Sequence, residues 1–165
     1  MNLTPDLKKK YTTDKKTAFE AQRLTHEIAF APIAFQVSYL MVKLGVLKAL
    51  DETGEGLTLE QIAKTTGLSR YAVKVLLEAS LSIGTVMVKG DKFFTTKAGW
   101  FLLNNRAARV NMEFVHEVCY GGLAYLEDAL KEGKPAGLGV FGQWATLYEG
   151  LSALPTEVQE KWFAF

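Results

Sequence analysis

His116 and Cys119 stand three residues apart, a spacing that on a helix sets an imidazole and a thiolate on one side, where they could reach a shared metal ion. A tetrahedral site needs more ligands. The other histidine, His26, lies far back in the chain, and Cys119 is the single cysteine, which excludes an internal disulfide framework and any multi-cysteine zinc or iron–sulfur site. Cys119 is expected to pack as a small apolar side chain. His116 could act as a general base, but a base needs a substrate and an orienting partner. Its neighbour Glu117 is expected on another helix face, which leaves His116 as a pocket-lining residue or a partly exposed helix histidine. Further on, Gly137-Leu138-Gly139-Val140-Phe141-Gly142 matches G-x-G-x-x-G. That fingerprint cradles a dinucleotide when a strand leads into it. Here a polar helix end, Leu130 to Ala136, precedes it, so a flexible turn between helices is expected.

The chain that must position these groups has 165 residues, enough for one domain of ordinary size or a small one with helical extensions. Nineteen Lys and Arg face eighteen Asp and Glu, a formal charge of +1, and 48% of residues are hydrophobic. This is globular composition, and the charge balance argues against a dedicated nucleic-acid coat protein. The N-terminus, with Lys8-Lys9-Lys10 and no apolar run behind it, does not read as a secretory signal. Ile28–Val42 is uncharged but only 15 residues long, short of the ~20 needed to span a bilayer. A cytoplasmic protein without a membrane segment is expected.

Three segments follow a leader, 1–13, that is expected to be flexible. In the first, Asp14 is expected to cap a helix carrying Phe19, Leu24, Ile28 and Ala31, and Pro32, lacking an N–H, should kink or restart it. Beyond Pro32 the run Ile33, Phe35, Val37, Tyr39, Leu40, Met41, Val42 and Leu44 is apolar on nearly every face. Such a helix must be covered all round. Either a partner subunit or second domain covers it, or it is buried within the one chain. A partner is the preferred reading, with Ile33, Val37, Leu40, Met41 and Leu44 as the dimer interface.

The second segment, 57–103, carries the clearest pattern. Thr58 with Gln61 makes a capping box for a short helix. Ser69 caps the next, whose Val73, Leu76, Leu77 and Ser80–Leu81 follow helical spacing and which Gly84 closes. Thr85–Val88 and Phe93–Thr95 read as a hairpin around Gly90, and Thr95 or Thr96 caps a last helix. Helix, turn, helix, hairpin is the order of a winged helix-turn-helix. Its charges are poor equipment for a DNA reader. Six basic residues stand against three acidic ones between Leu57 and Leu103, and the second helix offers Arg70 and Lys74, then Glu78, with no Asn or Gln for base edges. A packing role is preferred over DNA binding.

In the third segment, 111–165, Asn111 is expected to cap a helix with an apolar stripe of Val115, Cys119, Leu123, Leu126 and Leu130, ended by Gly133. Two short helices follow a glycine-rich link, with Pro155 in a first turn. The sequence stops at Phe165 with Trp162-Phe163-Ala164-Phe165 in mid-helix, which suggests a piece of a longer protein. The fold class expected is mainly α: a winged helix-turn-helix with a small β-hairpin wing, flanked by dimerisation and linker helices.

Leu57–Ala63, Gly67-Leu68-Ser69, Val73–Ala79, Ile83–Val86, Phe93–Thr96 and Gly99–Leu103, in that order, with the helix before them and the run from Leu123 to Gly142, resemble the N-terminal region of small-molecule S-adenosylmethionine-dependent O-methyltransferases of the caffeate and hydroxyindole type. The resemblance covers about residues 28–165. It implies a homodimer interlocked through 14–110, a linker from 111 onward, and a lid over the acceptor pocket of a following catalytic domain. The methyl donor and the catalytic histidine would lie in that domain, so the resemblance implies no cofactor and no catalytic residue in this chain, only S-adenosylmethionine in the parent enzyme. It implies no nucleic-acid partner. By their place on the linker helices, His116, Tyr120, Phe141, Trp144 and Tyr148 are the candidates for lining the pocket of a planar small acceptor. The competing reading is a winged-helix transcription regulator with a helical dimerisation extension.

Overall fold

Local capping chemistry sets most of the element boundaries. The computed structural model describes residues 4–165. They fall into two units, one ending at Gln36 and one comprising Val37–Phe165. The first holds α1 (Pro5–Tyr11), helical where a flexible leader was expected, and most of α2 (Ala18–Lys43). The cap of α2 is Thr17, not Asp14. Glu20 N donates to Thr17 Oγ1 at 3.3 Å, while Thr17 N and hydroxyl both donate to the Glu20 carboxylate. Asp14 instead accepts from Lys16 N in a local turn. This reciprocal box satisfies two orphan donors at once, which a lone aspartate cannot match. Nor does Pro32 restart the helix, since α2 runs through it without a break.

In the second unit, α3 (Val46–Thr53), α4 (Leu59–Thr66) and α5 (Arg70–Ile83) pack with a three-stranded antiparallel sheet of β1 (Leu57–Thr58), β2 (Val86–Lys89) and β3 (Lys92–Thr95), in the order β1-β3-β2. Three of the expected caps form: Thr58 with Gln61 as a full capping box, Ser69 Oγ accepting from Ala72 N at 3.1 Å, and Thr96. The hairpin closes on Gly90-Asp91, pairing Lys89 with Lys92 and Val86 with Thr95. Gly90 has φ of 61°, the left-handed value required at the first position of a two-residue hairpin turn. The core is Met41, Val46, Leu47, Leu50, Ile62, Val73, Leu76, Leu77 and Val86.

Thr96 caps α6 (Lys97–Asn104), accepting from Gly99 N, and its own hydroxyl donates to Gly84 O at 2.7 Å. That bond pins the start of α6 beside the end of α5. Gly99 sits at this junction, where an added Cβ would lie 2.2 Å from the backbone oxygen of Thr85. Helix propensity alone would make Gly99→Ala stabilising by about 1 kcal/mol. The collision is with backbone and cannot be relieved by a rotamer change, so the sign reverses. We expect a net loss of about 2–3 kcal/mol, read from the urea midpoint.

The third segment is not one long helix. Asn105, and not Asn111, caps α7 (Arg106–Phe114), accepting from Ala108 N at 3.0 Å, so Asn111 lies inside the helix. A π-turn (Val115–Cys119) and a 3-10 turn (Gly122–Tyr125) follow, then α8 (Leu126–Glu132), which Gly133 ends. A second 3-10 turn (Ala136–Val140), α9 (Leu147–Gly150) and α10 (Thr156–Ala164) complete the chain. Trp162 and Phe165 pack on Phe114, although Phe163 and Phe165 remain largely exposed. Among the described residues no single helix is long and apolar enough to cross a membrane.

Candidate functional site

Exposed apolar surface marks one candidate site. Along α2 it lies earlier than expected. Phe19, Leu24, Ile28, Phe30 and Ile33 are exposed, Ile33 at 58%. Of the five residues expected at a dimer interface, Ile33 and Leu44 are exposed and Val37 and Leu40 are partly buried against the core. Met41 is fully buried in the chain's own core, which corrects its assignment to an interface. Burial within one chain therefore accounts for Met41, while the uncovered surface is centred on 19–33.

The π-turn builds the second feature. Its backbone closes from Tyr120 N to Val115 O at 2.8 Å, and the wider winding brings sequence neighbours to one side. His116 Nδ1 lies 3.0 Å from Glu117 Oε1, so the expectation that Glu117 occupies another face fails. Tyr39, at the end of α2, donates its hydroxyl to the same Glu117 oxygen at 2.9 Å, and its ring stacks on His116 with centroids 3.8 Å apart. A carboxylate oxygen only accepts, so Nδ1–H of His116 is the donor in this contact. Burial raises the Glu117 carboxyl, but the hydrogen bonds from Tyr39 and His116 outweigh it and hold Glu117 below the usual carboxylate range. Burial, then the bond to Glu117, pushes the Tyr39 phenol up to about 12.

The sign of the Tyr39 shift gives an alkaline limb. The unfolded phenol ionises near 10 and the folded one near 12. Stability from this group is complete below pH 10 and is lost as pH rises towards 12. Chemical denaturation at stepped pH should show that decline, and Tyr39→Phe should flatten it.

Sequence reasoning noted Tyr39 only as one of an apolar run. The available signal was its hydroxyl, since a Tyr in such a run needs a polar partner when buried.

The third feature is an apolar groove of about 280 Å³. Leu123, Leu126, Leu138 and Phe141 form its walls, with Cys119 and Trp162 also lining it. Burial raises the Cys119 thiol, which keeps it protonated and poor as a metal ligand or nucleophile. The glycine sextet forms one side of this groove. It follows a helix instead of a strand, and a Cβ at Gly137 would come within 2.8 Å of Gly122 O. Its backbone thus abuts the Gly122 turn, leaving no phosphate cradle there. Among the described residues the one sheet is antiparallel and small, with no strand leading into this glycine loop.

The five candidates for pocket lining do not converge. His116 and Tyr120 are near each other, with ring centroids 6.3 Å apart, and Phe141 lines the apolar groove. Trp144 is held over Gly142 and Gly150, whose Cβ positions its ring would occupy, and Tyr148 is 80% exposed.

On the winged face the two cations of α5 are already compensated. Arg70 Nε lies 2.9 Å from Glu60, and Lys74 lies 3.7 Å from Glu78.

Residues 22–93 match the family model of the Dimerisation2-like domain. Solved structures share the fold. The S-adenosylmethionine-dependent methyltransferase SibL is 22% identical with a TM-score of 0.73, over 84% of this chain and 41% of that one. The riboflavin-analogue dimethyltransferase RosA from Streptomyces davawensis is 25% identical with a TM-score of 0.67, over 91% and 43%. Human N-acetylserotonin methyltransferase, solved with S-adenosylmethionine, is 21% identical with a TM-score of 0.67, over 93% and 47%. The chain thus spans less than half the length of these proteins. No curated protein matches it by sequence.

Proposed function

We propose that this chain, whose residues 22–93 match the family model of the Dimerisation2-like domain, is the dimerisation and substrate-lid region of an S-adenosylmethionine-dependent methyltransferase that acts on a small-molecule acceptor, at an oxygen. The carrying observation is where that domain begins. From Gln22 onward it includes the exposed Leu24, Ile28, Phe30 and Ile33, an uncovered apolar row of the kind a second copy would bury.

In this reading the chain does no chemistry itself. The methyl donor and the transfer step belong to the rest of the enzyme, where positioning of acceptor against donor supplies much of the rate. The lid contributes apolar wall. Phe141 and the groove around it suit a planar body, and His116 with Tyr120 offers a polar edge next to it in sequence. The winged module acts as scaffold, a role supported by the pairing of Arg70 with Glu60 and Lys74 with Glu78. The setting is cytoplasmic, where a single thiol stays reduced.

Sedimentation equilibrium at micromolar concentration tests this directly, and a dimer is expected. Titration with S-adenosylmethionine should show no binding to this chain. In the enzyme that contains this region, transfer of labelled methyl from S-adenosylmethionine to a phenolic acceptor is expected. A monomer, or a chain that shifts duplex DNA with a steep salt dependence, would overturn the reading.

A further inference from the structure

We infer that the cleft between the end of α2, α7 and α10 binds a small zwitterion, of the class of free amino acids with an aliphatic side chain. The cleft holds about 180 Å³, less than the ~300 Å³ at which pockets for drug-sized ligands begin. Its walls are Val42, Leu102 and Met112, with Tyr39 beside them. These can take a short aliphatic body out of water.

The charged groups of the cleft sort into engaged and free. Lys161 Nζ is bound to Glu113 at 2.9 Å, and Glu117 is held by Tyr39 and His116. Arg109, Glu157 and Lys43 also line the cleft. Among the described residues, the side chains of Arg109 and Glu157 take part in no ion pair or hydrogen bond, and Lys43 rests over the Tyr39 ring at 5.3 Å. Two cations and a carboxylate without a hydrogen-bonding partner thus share one small space, Lys43 in the field of Glu117 and Glu157 in that of Lys161.

A plain anion would satisfy Arg109 and Lys43 but meet the carboxylates of Glu157, Glu113 and Glu117. A plain cation would meet three basic side chains. A molecule carrying an ammonium and a carboxylate on one carbon matches both sets. Its carboxylate goes to the guanidinium fork of Arg109, its ammonium to Glu157, and its side chain to Val42, Leu102 and Met112. This site is separate from the apolar groove around Phe141 and does not depend on the methyltransferase reading.

Calorimetric and NMR titration of the full chain with L-leucine tests the inference, with 4-methylpentanoate and isopentylamine as probes that each lack one charge. Saturable binding of leucine is expected, with both truncated probes weaker by about tenfold or more. Arg109→Gln and Glu157→Gln should each weaken leucine by a similar factor. Both side chains are exposed, so circular dichroism and sedimentation should not change. Failure to saturate at tens of millimolar, 4-methylpentanoate binding as tightly as leucine, or an Arg109→Gln variant that binds normally would each overturn it.

Discussion

In the proposed dimer, Ile28→Asp combined with Ile33→Asp should give a monomer without unfolding it. Both side chains are exposed in the single chain, so aspartates there cost the monomer little beyond lost association. In a dimer that buries the row from Phe19 to Ile33, each aspartate would be an unpaired charge removed from water, at a cost of several kcal/mol. With ~1.4 kcal/mol per tenfold, the dissociation constant should rise by about 100-fold or more. Sedimentation should then report a monomer at concentrations where the parent chain is paired, with circular dichroism unchanged. Leu40→Asp is the contrasting variant. Leu40 packs against the chain's own core, so a charge there should unfold the monomer instead of only separating it. A double-aspartate variant that remains dimeric would show that 19–33 is not the interface.

Glu117→Ala should cost about 3 kcal/mol of stability at neutral pH. One carboxylate oxygen accepts from both Tyr39 and His116. Removing it leaves the hydroxyl of Tyr39, a residue only 8% exposed, without its acceptor. The two bonds share one group, so their losses will not simply add. Glu117→Gln keeps an acceptor and loses the charge, and should cost less. The pH dependence separates this account from a simple packing loss. The Glu117 carboxyl is depressed in the folded state. Its contribution is present above the unfolded carboxylate value of ~4 and is lost as pH falls through the lower folded value. The gap between parent and Glu117→Ala in denaturation midpoints should therefore narrow in acid. A gap that stays constant down to strongly acidic pH would refute the account.

What the sequence determined by itself is what depends on a few adjacent residues. The Thr58–Gln61 box, the Ser69 cap, the Gly84 terminus and the Gly90 hairpin are each set by short-range backbone hydrogen bonding or by a φ that only glycine adopts readily, so their positions can be read from the chain. Where two capping residues lay close together, local chemistry was ambiguous: Thr17 displaced Asp14 because Glu20 completes its box, and Asn105 displaced Asn111. The tertiary structure alone decided the rest. The two residues of β1 are a strand only because β3 lies beside them. Met41 and Ile33 are equally apolar in the sequence, and only packing buries one and leaves the other open. Tyr39 and Glu117 are 78 positions apart, and only the fold brings the π-turn that carries Glu117 beside Tyr39. Spacing along a chain fixes which side chains share a helix face, but not which face meets water, another helix or a second molecule, because that is set by the apolar area the whole fold can bury.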